Sequence, residues 1–342
     1  MSKLNISFKT ISWDVPESTY RADPAYSYST LAKFYRGGFG CLDTLFDKVS
    51  SPSLTFGSVV DSLVTGGEAE FKDRFYVADL PTLSDSLSKI TDTLFDKYGD
   101  RFDSLWELPD SFISDVAKDC GYYAAEKYAN TRVTKVRSEC EEMYEIKRRA
   151  SGKEVITTEM YTAAIDCVTE LKNSEMTRAY FSKNSNPDIE KLYQLKFKGE
   201  WNGYQVRCMA DELVIDHARK KVIPIDLKTS GHNEWDFPES FKQWNYWIQA
   251  ELYWYIIRQN MDKSPVFKDY ELEDYRFIVI NRNTLKPMVW KFPDSSDSSS
   301  RIIGKTYLKS WQEILPELDG YLTERPKYPN GTQKINDITQ RL

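Results

Sequence analysis

The sequence predicts an α/β fold in which helices flank a mixed β-sheet. Three observations carry that expectation. The first half of the chain is dominated by helical, polar-rich periodicity. At Leu192 the texture changes abruptly to alternating strands joined by tight turns. A helical stretch then returns and is followed by two further strands. A helix, three antiparallel strands, a helix and more strands make the layers of an α/β sandwich.

Taken in order, residues 26–31 offer a serine N-cap, Ser27 or Ser29, for a helix over 29–49. Gly37, Gly38 and Gly40 break that helix in two. Residues 56–64 read as a helix beginning near Gly57, and 84–150 as largely helical. Thr157 or Thr158 caps a helix running to about Phe181. Residues 192–200 form a strand, and Asn202-Gly203 is a strong hairpin signal leading into a second strand over 204–215. A turn at 216–220 precedes a third strand, 222–229. A polar loop containing Gly231, Asn233 and Pro238 then enters a helix over 241–259. Strands are expected at 275–280 and 287–292, a linker at 293–300, and a final helix at 301–322 with an interruption at Pro316. Pro326 and Pro329 begin a mobile tail.

The chain has 342 residues, enough for one large domain or two lobes with a sizeable core. A hydrophobic content of 41% and a charged content of 29% are those of an ordinary soluble globular protein. Aromatic residues reach 14%, which reads first as core packing and second as surfaces on which bases could stack. The net charge of −6 argues against a non-specific nucleic-acid coat, but it leaves room for one basic groove on an acidic body. Arg132, Lys135, Arg137, Lys147, Arg148, Arg149 and Lys153 are the basic candidates, although Glu139, Glu141, Glu142 and Glu145 among them suggest a solvated helix face. Five cysteines without a CxxC pair fit a reducing, cytoplasmic setting. No signal peptide and no membrane span is expected. His217 and His232 are the only histidines and support no zinc site, and no GxxxxGK[ST] suggests ATP hydrolysis.

The residues that point to chemistry lie on the second and third strands. Alternation places Arg207 and Asp211 on one face, and Asp226 with Lys228 against the apolar face of Ile223, Ile225 and Leu227. A carboxylate inside such a strand is costly to bury alone and becomes sensible beside a cation. Two carboxylates brought together by a hairpin can hold a divalent metal through oxygen, with an ammonium next to it. Gln249 and Tyr253 stand one helical turn apart, among Trp244, Tyr246, Trp247, Trp254 and Tyr255. Gly57 permits a close approach, and Asp61 follows one turn later on an apolar helix. Each of these alone is more simply read as structural.

Their order, Gly57-x-x-x-Asp61, Asp211, Asp226-x-Lys228-Thr229 and Gln249-x-x-x-Tyr253, resembles the RecB-type branch of the PD-(D/E)xK nuclease superfamily. Within it the chain is most similar to the phage and prophage exonuclease VIII (RecE-like) exonucleases, over roughly residues 26–292. Further supports are Tyr26-Ser27-Tyr28-Ser29-Thr30-Leu31 and Ile156-Thr157-Thr158-Glu159. The resemblance implies a restriction-endonuclease-like mixed-sheet core over 191–293. A large, mainly helical part at 1–190 would shape a DNA channel, and 294–342 would hold a linker, helix and tail.

It further implies that Asp211 and Asp226 ligate Mg²⁺, or Mn²⁺ as a substitute, with the Leu227 carbonyl as a further oxygen. Asp61 stands where relatives carry histidine and would be a third ligand. Lys228 would orient or activate the attacking water and stabilise developing charge. Gln249 and Tyr253 would position the strand and the site. Thr229, Ser230, Arg207, Arg148 and Arg149 are candidate DNA contacts. No cysteine follows Cys208, so no iron–sulfur cluster is expected.

The implied activity is a metal-dependent exonuclease acting on double-stranded DNA ends, on the 5′ strand, in phage-type recombination or DNA processing. It would work in the cytoplasm of a bacterial host, with a single-strand annealing protein as partner and a homo-oligomeric ring as assembly. The alternatives are a structure-selective or restriction-like endonuclease of the same fold and a catalytically inactive DNA-binding module.

Overall fold

A computed structural model describes residues 6–324, apart from positions 48, 184, 294, 298, 300, 304 and 305. The chain divides into two compact units, Met1–Asp61 with Cys167–Leu342, and Ser62–Asp166. The helical part expected over 1–190 is thus shared between them.

The first unit is built on a mixed sheet of β1 (Ile189–Trp201), β2 (Tyr204–Asp216), β3 (Lys221–Ser230), β4 (Tyr275–Asn281) and β5 (Pro287–Phe292), in that spatial order. β1–β2, β2–β3 and β4–β5 are antiparallel, and β3–β4 is parallel. A two-residue strand, Glu271–Leu272, also joins the start of β3. Asn202 (φ 49°) and Gly203 (φ 86°) both adopt positive φ, as a type I′ hairpin requires.

The parallel step from β3 to β4 needs a crossover, and helices α3 (Phe237–Trp244) and α4 (Tyr246–Asp262) supply it. The single helix expected over 241–259 is therefore two. Asn245 at φ 62° ends one and opens the next, a left-handed conformation that asparagine tolerates better than most residues. Trp247, Ile248, Ala250, Leu252, Ile256, Ile257 and Met261 of α4 join Phe197, Cys208, Ala210 and Phe277 of the sheet in one core. Burial on nearly every side of α4 holds its polar residues where they stand.

Helix α1 (Tyr28–Gly37) starts after Ser27 and stops at Gly38, φ 54°, where a 3₁₀ segment, Gly38–Thr44, takes over as the glycines suggested. Helix α2 (Pro52–Thr65) begins earlier than the expected Gly57. Ser51 Oγ accepts from Leu54 N at 3.3 Å, and Pro52 suits a first-turn position, so Gly57 lies inside the helix. The helix expected from Thr157 to Phe181 is divided into Thr158–Asn173 and Arg178–Phe181. Thr157 does cap it, accepting from Met160 N at 3.1 Å.

The C-terminal expectation also needs correction. Strands Arg301–Ile303 and Thr306–Leu308 pair antiparallel where a helix from 301 was expected. Adjacent Ile302 and Ile303 are β-branched and favour extended backbone. Helix α5 (Trp311–Glu324) follows, with Ser310 Oγ accepting from Glu313 N at 3.2 Å and with Pro316 inside it. Within the stretch read as a linker, Ser295 is buried and its hydroxyl accepts from Tyr275 N at 3.0 Å. The tail expected from Pro326 lies outside the described residues.

The second unit is helical. Helices Asp85–Tyr98, Asp110–Asp119 and Ala129–Ala150 enclose Leu87, Ile90, Leu94, Ile113, Val116, Val136 and Tyr144. A small parallel pair, Phe75–Val77 with Glu154–Ile156, completes it. No helix among the described residues is long and apolar enough to cross a membrane.

Candidate active site

Strand pairing sets the site. The β2–β3 ladder ends at Glu212↔Ile225, one residue short of Asp211 and Asp226. Where the ladder stops, these two carboxylates face each other in the continuing register. Asp211 Oδ2 accepts from the Leu227 N–H at 3.0 Å, which ties the two strand ends together. Asp226 is 1% exposed; its Oδ1 accepts a hydrogen bond, and its Oδ2 has an ion pair but no hydrogen bond among the described residues. Gln249 Nε2, from α4, donates to Oδ1 at 2.5 Å, and Lys228 Nζ lies 2.5 Å from Oδ2. The ammonium also sits 4.8 Å from the centre of the Tyr246 ring, a cation–π distance.

Charge is unbalanced in this pocket. Burial first, then Asp226 and Asp61, push the Asp211 carboxyl well above the usual range, against weaker pulls from Lys228 and the Leu227 N–H. Burial pulls Lys228 down, but Asp226, Tyr246, Asp211 and Tyr28 outweigh it, so the group is held above its ordinary value and stays an ammonium. Lys228 is therefore held as a positive charge beside the two carboxylates. Tyr253, one turn along α4 from Gln249, is buried and is kept a phenol by burial, then by Tyr20, Cys208 and Asp226.

Asp61, on α2, reaches the same pocket, since it acts on Asp211 through space. Its two oxygens each accept from Gln194 Nε2 at 2.9 Å. Gln194 lies on β1 with φ 51° and stands in line with Asp211 across the β1–β2 ladder. Gly57 passes close to β3, since a Cβ there would meet Thr229 Oγ1 at 3.4 Å.

Among the described residues no group of three or more His, Cys, Asp and Glu side chains is arranged to hold a metal ion by itself. The donor set nevertheless fits Mg²⁺, which commonly takes one or two carboxylates and completes its shell with water and substrate phosphate. Two opposed carboxylates, one of them destabilised by its acidic neighbours, are what a divalent cation would relieve. Asp211, Asp226 and the Leu227 carbonyl would hold it. Asp61, whose oxygens accept from Gln194, lies near enough to act on Asp211 and is the candidate third carboxylate.

The arginines expected as DNA contacts are engaged within the protein. Arg207 donates to the carbonyls of Ala25, at 3.0 Å, and Tyr20, and its guanidinium lies 4.6 Å from the centre of the Tyr20 ring. Arg148, in the helical unit, donates to Asp103 Oδ1 at 2.6 Å and to Gly99 O at 2.7 Å, and Arg149 pairs with Glu145 at 2.5 Å. Arg132 is buried and bonded to the Tyr123 and Ala125 carbonyls. Arg148 and Arg149, paired with acids, fit the solvated-face reading of this basic run, whereas Arg132 is buried. Ser230 Oγ accepts from His232 N at 3.0 Å, ordering the loop that leaves β3.

Sequence reasoning gave Tyr246, Tyr28 and Tyr275 no role at this site. Tyr28 and Tyr246 face Lys228, and Tyr275 lies buried near Asp226. The signal for Tyr246 was local: it follows the helix break at Asn245, which an unbroken helix hides.

No protein-family model matches the chain, nor does any curated protein sequence. Among solved structures, a provisionally named exonuclease from Eubacterium rectale matches at 17% identity, covering 74% of this chain and 88% of its own, with a TM-score of 0.29. The functional assignment therefore comes from the site.

Proposed function

We propose that the protein is a metal-dependent deoxyribonuclease that hydrolyses phosphodiester bonds at double-stranded DNA ends. The observation that carries this reading is the opposition of Asp211 and Asp226 at the parting of β2 and β3, with Lys228 2.5 Å from Asp226. Bound Mg²⁺ would make a coordinated water more acidic and neutralise charge on the phosphate. The chain's own groups do the rest. Lys228, fixed as an ammonium, meets the negative charge that grows on the non-bridging oxygens as water attacks phosphorus. Gln249 holds the Asp226 carboxylate in one orientation. Tyr246 flanks the lysine and narrows the directions in which its head can turn. The leaving oxygen departs as an alcohol after taking a proton from solvent.

The oxygen donors of the site favour Mg²⁺ over softer metals. The resemblance to RecE-like exonucleases supports an exonuclease over an endonuclease, the 5′ strand as substrate, a ring-like assembly and a recombination partner that anneals single strands. Purified protein with linear duplex and Mg²⁺ should release nucleotides, and EDTA should stop it. Asp226→Ala or Lys228→Ala should abolish release. A covalently closed circle should survive; its cleavage would favour the endonuclease. Cleavage by both variants at the wild-type rate would remove the site.

A further inference from the structure

Tyr275 is the first residue of β4, and its neighbour two positions on, Phe277, pairs with Asp226. Alternation therefore places the Tyr275 side chain on the same face of the sheet as Asp226 and Lys228. The residue is 0% exposed, and its hydroxyl has no hydrogen-bond partner among the described residues. The ring stands edge-on to Tyr253, with centroids 6.2 Å apart at 78°, and packs on Phe277 at 5.3 Å. Its backbone is fixed by the bond to Ser295. A tyrosine held this firmly has little freedom to seek another partner.

A buried, unbonded hydroxyl costs stability, and phenylalanine would fill the same space without that cost. Such a group is expected where a local rule is broken for function. Burial first, then Asp226, Tyr253 and Asp211, keep it a phenol, so it retains an O–H that can donate. In the resting protein Asp226 Oδ1 accepts from Gln249, while Oδ2 has only its ion pair with Lys228. A Lys228 ammonium that turns toward the phosphate loosens its hold on Asp226 Oδ2, which accepts no hydrogen bond among the described residues.

We propose that Tyr275 is a positioning residue of this site, its hydroxyl donating to the Asp211–Asp226 pair when the Lys228 ammonium moves from Asp226 to the scissile phosphate. The proposal rests on the nuclease reading above. It assigns the hydroxyl two opposite effects. It lowers the stability of the resting protein, and it holds the carboxylates in place in the working one.

The test is Tyr275→Phe beside wild type, with three readouts: thermal unfolding without metal, Mn²⁺ binding by electron paramagnetic resonance, and kcat and KM on linear duplex. The variant should melt at the same or a higher temperature. It should bind Mn²⁺ or turn over about 10-fold to 100-fold less well, the range typical of groups that orient ligands, with KM for DNA little changed. Tyr253→Phe, changed on the neighbouring ring, controls for a general loosening of the aromatic packing and should not raise the melting temperature. Wild-type Mn²⁺ affinity and kcat in Tyr275→Phe would overturn the proposal alone. A lower melting temperature together with unchanged Mn²⁺ affinity would mark the hydroxyl as structural and overturn it too. Wild-type protein that neither binds Mn²⁺ nor cleaves would overturn the nuclease reading and this inference with it.

Discussion

Glu212 offers a prediction independent of any substrate. It lies on β2 beside Asp211, pairs with Tyr193 and Ile225 across the sheet, and is 1% exposed. Burial raises its carboxyl from 4.5 to about 8, against weaker opposing effects of Lys191 and Tyr193. The folded protein therefore keeps a proton that the unfolded chain releases above pH 4.5. The stability this contributes is complete below pH 4.5, declines as pH rises, and is gone once pH passes about 8. At roughly 1.4 kcal/mol per pH unit, the ceiling is about 5 kcal/mol. Relaxation and water entry would reduce it to a few kcal/mol. Glu212→Gln mimics the protonated form and removes the titration. Urea unfolding of both proteins between pH 5 and pH 9 is the assay. Wild type should lose stability relative to the variant across that range and fall furthest behind at the alkaline end. Parallel curves, or a wild type that gains on the variant as pH rises, would refute the reasoning.

Other outcomes follow from the same geometry. Because Lys228 is held above its ordinary value, cleavage should quicken from about pH 6 to mildly alkaline pH with no falling limb from loss of its charge; a rate that drops before pH 9 would count against that. Gly57→Ala should be neutral or stabilising by up to about 1 kcal/mol in thermal unfolding, because the added methyl makes ordinary contact with Thr229 and helix propensity improves. Gly57→Leu should instead lower both stability and activity, read in the same melt and a duplex assay. Asp61→Asn should reduce the like-charge pressure on Asp211 and weaken Mn²⁺ binding only modestly, whereas a ligand lost outright would abolish it.

The strand register was legible because side-chain alternation and the Asn202-Gly203 turn leave one way to pair β1, β2 and β3. With register fixed, Asp211 and Asp226 had to approach each other. Periodicity could not locate Asn245, whose positive φ depends on its neighbours in the fold and moves Tyr246 to Lys228. Nor could it separate Arg132, Arg148 and Arg207 as buried or internally bonded from arginines free for DNA. A guanidinium's partner is decided by backbone carbonyls far away in sequence. Tyr275 was hidden for a related reason, since a buried hydroxyl without a partner among the described residues is a property of the fold that no sequence pattern displays.

The most direct measurement is Mn²⁺ binding, by electron paramagnetic resonance, to wild type, Asp211→Asn and Asp226→Asn at neutral pH. Each variant should stay folded by circular dichroism and lose the Mn²⁺ site that wild type displays. Equal Mn²⁺ affinity in all three proteins would contradict the assignment of these two carboxylates as a shared cation site.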